Sequence, residues 1–236
     1  MSPASRTAHT HATSSGAPLR KRGRPPRLSR DHIVASVLQQ IERAPNEPVT
    51  IARVASEVGA SPAALYRHFR NLDDLLDAVV SNVLSDIGPG IEGGATWEAA
   101  LEGWMRELRS RLLRVPVILT LIGRTGRTSP AWLDAASFLV EILERAGLDG
   151  DSLALTYLWI LETTTGLVLQ EAALPVAQQV ANARASRADW SEAASARFAA
   201  ASEAIDGIDG DRFFDFAVVQ AVSAVDLQRK RAAADR

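Results

Sequence analysis

The stretch VTIARVASEVGASPAALYRHFRNLDDLL, residues 49–76, decides how the chain is read. Thr50 is an N-cap residue, and Ile51, Val54, Ala55 and Val58 follow at the i, i+3, i+4, i+7 spacing of one helix face. Gly59 is the residue that can close this short helix in the left-handed conformation. Ser61 then caps a third helix of the chain with Pro62 at its first position, where the missing N–H costs nothing. Two short helices joined by Gly59-Ala60-Ser61 make a helix-turn-helix pattern. On a helical wheel Leu65 and Phe69 fall together and point inward, while Ala63, Arg67 and Arg70 fall opposite, flanked by Tyr66 and His68. Small and cationic side chains on the exposed face suit close approach to a phosphate-lined groove.

Working outward, Ser29 caps a first helix carrying Ile33, Val34, Val37, Leu38 and Ile41, stopped by Pro45-Asn46-Glu47-Pro48. A fourth helix begins near Leu72-Asp73-Asp74, its early acids matching the positive helix end, and carries Leu75, Leu76, Val79, Val80, Val83 and Leu84. Residues 1–19 are polar with no apolar period and are expected to be a disordered tail, His9 and His11 included. Residues 20–28 form a basic arm, in which five of the eight residues 20–27 are Lys or Arg. Its core, Arg22-Gly23-Arg24-Pro25, looks like an AT-hook, whose extended arginines lie along a narrow minor groove.

The composition changes after Gly88-Pro89-Gly90, which places a boundary at about residue 88: a DNA-binding domain over 29–88 and a larger domain over 89–236. A helix from about Thr96 to Arg114 carries Trp97, Leu101, Trp104, Leu108 and Leu112, and Pro116 opens a shorter one to about Leu121. Gly123 to Thr128 reads as a loop. Ser129-Pro130 starts another helix ending near Gly147, and Asp151 is read as the cap of a long apolar helix to about Ala173. The Ala-rich stretch from Pro175 to Asp189 reads as loosely ordered. Helices over Ser191–Ile205 and Asp211–Arg231 complete the chain. No alternating strand pattern appears, so the fold is expected to be all-α with nine or ten helices.

The chain has 236 residues, 47% of them hydrophobic and 23% charged, as in a globular protein with a proper core. The absence of cysteine excludes disulfides, thiolate catalysis and Cys-ligated metal sites. No apolar run approaches the roughly 20 residues needed to span a bilayer, and no secretion signal is read, so a cytoplasmic location is expected. The net charge of −2 divides into +4 over residues 1–80 and −6 over 81–236, which directs a polyanion to the amino-terminal part. An enzyme would need a nucleophile–base pair or a metal cluster. Outside the tail the only histidines are His32 and His68, no Gly-x-Ser-x-Gly occurs, and GRTGRTS at 123–129 lacks the Lys and preceding strand of a phosphate loop. Neither catalytic nor metal-ligating residues are assigned, and no cofactor is implied.

Over residues 22–80 the sequence resembles the TetR family of bacterial transcriptional regulators, in RGRPPRLSRDHIVASVL and in the stretch quoted above. The Leu-Tyr-x-His-Phe core one turn after a Gly-x-Ser link carries the likeness. The Trp-started helix, ERAGL at 144–148 and LQEAA at 169–173 look like TetR ligand domains. The resemblance implies a homodimer with one DNA head per subunit and a double-stranded operator as partner. Thr50 and Arg53 would then contact backbone or a base edge, and Ser61, Pro62, Ala63, Tyr66, Arg67 and His68 would form the recognition surface, with Tyr66 and His68 approaching phosphates. Two positions depart from the family. Leu72 stands where a phosphate-touching Lys is usual, and Pro45-Asn46 replaces a loop that usually contains Gly. Arg67 is the best direct reader, because a guanidinium grips guanine O6 and N7 together, whereas Ala63 and Ala64 offer at most methyl contacts.

The second domain is expected to pair subunits and sense a small molecule. Residues 153–172 and 211–231 are apolar nearly all round, and a four-helix bundle from two subunits is what the family would form, with Thr163-Thr164-Thr165-Gly166 allowing close approach. Trp104, Leu108, Trp132, Phe138, Tyr157, Leu161 and Glu162 are the candidate pocket residues for a largely apolar effector, although any one of them taken singly is more often plain core than a ligand contact. Glu162 in an apolar helix calls for a cationic ligand or for an arginine such as Arg109. The expected function is a ligand-responsive regulator, a repressor released from a palindromic operator, found at the nucleoid when bound. The nearest alternative is a non-specific architectural DNA protein, which would show no operator preference across a salt series.

Overall fold

A computed structural model describes residues 28–44, 47–85, 87–88, 96–115, 118, 129–205 and 207–234. The tail, the arm with Arg22 and Arg24, the Pro45-Asn46 turn and the 123–128 loop lie outside them. So does the short helix after Pro116, apart from Ile118. The described residues contain ten α-helices and no strand.

Four helices build the head: α1 (Arg30–Arg43), α2 (Ile51–Glu57), α3 (Pro62–Leu65) and α4 (Leu72–Leu84). Each starts on a side-chain cap. Ser29, Thr50, Ser61 and Asn71 accept from the backbone N–H three residues on, at His32, Arg53, Ala64 and Asp74. Gly59 takes φ +63°, and the Ala60 N–H reaches back to Ala55 O at 2.8 Å, closing α2 as its sequence predicts. Ile33, Val37, Val54, Leu65, Phe69 and Leu75 are fully buried between these helices. At about 1.5–3 kcal/mol for each large apolar side chain removed from water, this cluster is what holds so small a unit together.

The third helix is shorter than its wheel suggests. Regular α-helix ends at Leu65, and residues 66–68 continue as turns that still bring Phe69 over Leu65, through Phe69 N–H to Leu65 O at 3.0 Å.

The second unit consists of α5 (Trp97–Arg114), α6 (Pro130–Arg145), α7 (Gly150–Ala173), α8 (Val176–Ala185), α9 (Glu192–Ile205) and α10 (Gly210–Ala234). The stripe Trp97, Leu101, Trp104, Leu108, Leu112 is buried throughout, and α5 packs against α6, α7 and α10. Three expectations change here. The N-cap of α7 is Asp149, not Asp151, which lies in the first turn. The stretch after Pro175 is α8 followed by a 3-10 turn at Ser186–Asp189. Its Ala, Gln and Arg content favours helix by propensity, and it buries no residue, which is why no apolar stripe announces it. Finally, α7 is by length and composition apolar enough to cross a bilayer, although no apolar run of that length was expected. Its charged residues are too few to lower the average. Thr156, Ile160, Leu161, Thr164 and Val168 face the interior, while Leu155, Leu158, Trp159 and Leu169 are exposed on the opposite side.

Head and second domain are joined through α4, which packs against α5 and α6. Arg111 of α5 donates from Nη1 to the carbonyls of Val83 (3.2 Å) and Ser85 (2.6 Å), satisfying the open end of α4. Gly88 just beyond has φ +112°, and a Cβ there would stand 2.3 Å from Cγ of Phe138, so the ring of α6 lies directly on this backbone.

Candidate nucleic-acid interface

The α2–α3 unit presents an exposed surface made of Ser61, Pro62, Ala63, Tyr66 and Arg67, with His68 half-buried at its edge. Tyr66, 54% exposed, is the large aromatic on this surface. Ala64 lies against the core, so of the two alanines only Ala63 can touch a base. Ser61 already spends its hydroxyl oxygen on the Ala64 N–H at 3.3 Å. Thr50 does the same for Arg53 N–H at 3.3 Å, and the Arg53 guanidinium pairs with Glu47. Leu72, in the position that is usually Lys, packs partly buried against the head core.

Two residues that the sequence did not assign to this surface fix it. Arg30, at the start of α1, donates to His68 O at 2.7 Å, reaches Asp74 Oδ1 at 3.3 Å, and stacks its guanidinium 4.2 Å from the Phe69 ring centroid. Asp74 also accepts the Arg70 N–H at 2.8 Å. The first and last helices of the head thus clamp the segment that follows α3, setting where Arg67 and His68 stand. No local pattern reveals it, since Arg30 and Asp74 are 44 positions apart.

The Arg70 N–H bond, helped by the Arg30 guanidinium, holds the Asp74 carboxyl below its ordinary value of 3.8. A carboxylate whose folded-state pKa is depressed contributes stability that is fully present above the unfolded value and is lost as pH falls through the folded one. Asp74→Asn should therefore lower the urea midpoint at neutral pH, and the gap to wild type should close as the pH drops below about 4. A gap of constant size down to pH 2.5 would show that the clamp does not titrate in this way.

In the second domain, the candidate pocket residues scatter. Trp104 and Leu108 are buried in the core, with Trp104 Nε1 donating to Ala135 O at 2.9 Å. Leu161 is buried too. Trp132, Phe138 and Tyr157 pack partly buried against the same core, and Glu162 is exposed on the outer side of α7. Arg109 pairs not with Glu162 but with Glu171 (2.6 Å) and Asp211 (2.8 Å), joining α5 to α7 and α10. A cavity of about 580 Å³ lies among α7, α8, α9 and α10, and none of the seven candidates lines it. Among the described residues no group of His, Asp and Glu could hold a metal ion.

Comparison with known proteins agrees with this arrangement. Residues 33–79 match the family of bacterial regulatory proteins of the tetR type, and residues 89–221 match the tetracyclin repressor-like C-terminal domain. The chain belongs to the TetR family of transcriptional regulators. It is 28% identical over 169 residues to the transcriptional repressor DrrR1 of Streptomyces coeruleorubidus, covering 71% of this chain and 61% of that one. The chain spans about three-fifths of the length of the first curated relatives it matches. Its fold is that of ActR from Streptomyces coelicolor, solved with actinorhodin (TM-score 0.68, 20% identity, 84% of this chain and 97% of that one). BioQ, solved with its double-stranded DNA operator, shares it at TM-score 0.54 and 21% identity over 62% of this chain and 89% of that one.

Proposed function

We propose that this regulator binds a near-palindromic double-stranded operator as a homodimer, represses transcription there, and is released by a small, largely apolar molecule held in residues 89–236. The observation that carries the DNA reading is the exposed face of Ser61, Pro62, Ala63, Tyr66 and Arg67 on a capped helix behind a Gly59 turn. Residues 29–88 form the reading head. Thr50 and Arg53 sit at the start of α2 as backbone contacts, and Tyr66 and His68 meet phosphates. Arg67 reads a base, and Arg22 and Arg24 of the arm at 20–28 follow the minor groove behind the tail at 1–19. The BioQ–operator complex supports a DNA partner, and the ActR–actinorhodin complex supports a small-molecule one.

Effector binding favours a spacing of the two heads that misfits the operator, and the population shifts off DNA. The protein works in the cytoplasm, at the nucleoid when bound, without a membrane. In this reading the apolar outer face of α7 is turned towards a second subunit. Nuclease footprinting on selected operator fragments should show two-fold symmetric protection; a one-sided footprint would exclude the dimer. With the operator in hand, Arg67→Ala should cost about 1–3 kcal/mol at the position it reads and flatten base preference there. Deleting residues 1–27 should instead weaken all sequences alike and reduce the salt dependence. If neither change affects binding, the reading surface lies elsewhere.

A further inference from the structure

The cavity of about 580 Å³ in the second domain has walls from four elements of one chain: the carboxy-terminal half of α7, the hairpin of α8 and α9, and the first turn of α10. Its volume falls in the range of drug-sized ligand sites, roughly 300–1,000 Å³. Val180 of α8, Phe198 of α9 and Phe213 of α10 line it, together with Trp190 between the hairpin helices. Trp190 and Phe198 meet edge to face, with ring centroids 5.2 Å apart at 81°. These side chains are large and apolar, yet α8 buries no residue and Phe198 and Phe213 remain 38% and 42% exposed. A hairpin that holds its apolar side chains around unfilled space leaves them without the dispersion contacts that packing supplies elsewhere in the domain.

The polar part of the lining is sparse: Gln170, Gln179 and Ser195, with Arg184 as the one charged side chain among the described lining residues. A lining of this kind selects by apolar surface and a few hydrogen bonds rather than by charge. We propose that this cavity is the effector site and that it takes a largely apolar, ring-containing molecule, gripped between Trp190, Phe198 and Phe213. The proposal rests on the reading of this domain as the sensing one. It differs from the candidates on α5, α6 and the first half of α7, which lie in or against the packed core or, for Glu162, on the outer surface. Leu155, Trp159 and Phe216, which belong to the outward apolar face of α7 and α10, do not line it.

The probe is 8-anilinonaphthalene-1-sulfonate, an aromatic anion whose fluorescence rises in apolar surroundings, titrated into the full chain with excitation through tryptophan. We expect saturable binding of one molecule per chain with energy transfer that falls in Trp190→Phe. Ala183→Trp on α8 and Ser195→Phe on α9 fill the space from opposite walls, so each should weaken binding by about tenfold or more while keeping the helical circular dichroism. The two sites are far enough from the core that at least one variant should fold. Wild-type affinity in both folded variants overturns the site, as does the absence of saturable binding in the wild type. Because only binding is measured, either result leaves the operator reading, tested by footprinting, standing on its own.

Discussion

Phe69→Ala is expected to destabilise the protein by about 3–5 kcal/mol, the range for removing a buried aromatic ring. The ring is 1% exposed and packs in the same cluster as Ile33, Val37, Val54, Leu65 and Leu75, so every helix of the head loses contacts at once. The Arg30 guanidinium over its face would lose a further cation–π contact of order 0.5–1 kcal/mol. With the ring gone, Arg30 loses the surface it stacks on and keeps only Asp74 and His68 O as partners, so the segment carrying Arg67 is held less firmly. Operator binding should therefore fall beyond what the unfolded fraction accounts for. The neighbouring Tyr66→Ala offers the contrast. Tyr66 is more than half exposed, so stability should change by less than about 0.5 kcal/mol while DNA affinity drops. Urea denaturation followed by circular dichroism, together with operator titration, separates the two. Equal stability losses in both variants would mean that Phe69 is not the pin of the head.

What the sequence made legible was whatever acts over a few residues. Ser29, Thr50, Ser61 and Ser129 each cap the helix expected of them, because a cap is a contact with the backbone three positions on. The inward set of Leu65 and Phe69 was equally plain, since helical period and turn chemistry agree. Asp149 displaced Asp151 as the cap of α7 because two aspartates two residues apart look alike until the chain direction before the helix is known. Charges on different helices were not legible at all: Arg30 meets Asp74, Arg109 meets Glu171, and Arg106 meets Asp215 across 44, 62 and 109 positions. The cavity was missed for a further reason. Large side chains on a clean stripe, such as Trp104 and Leu108, are the ones that close packing consumes. The cavity lining comes instead from the Ala-rich α8 and α9, where the apolar side chains are few and the periodicity weak.

A double change, Leu158→Asp with Trp159→Asp, should convert the protein to a monomer and lower operator affinity by about 10²-fold or more, the loss expected when two linked half-site contacts become independent. Along α7, Leu155, Leu158, Trp159 and Leu169 are 68%, 52%, 44% and 47% exposed, with Gly166 between them and no side chain within 4 Å of where its Cβ would be. Beside it on α10, Phe216, Val219 and Leu227 are 59%, 57% and 49% exposed. A single soluble chain rarely offers so many large apolar side chains on two adjacent helices. Pairing the same face on two copies about a two-fold axis covers all of them with one interface, and it places two heads in fixed relation. The variant keeps Ile160, Leu161, Thr164 and Val168, the inward residues of α7, so each subunit should still fold. Light scattering on the purified variant reads the assembly directly, and a variant that remains dimeric would place the subunit interface on another surface. Monomers that still bind the operator as tightly as wild type would instead separate pairing from DNA reading, leaving α7 a role in assembly alone.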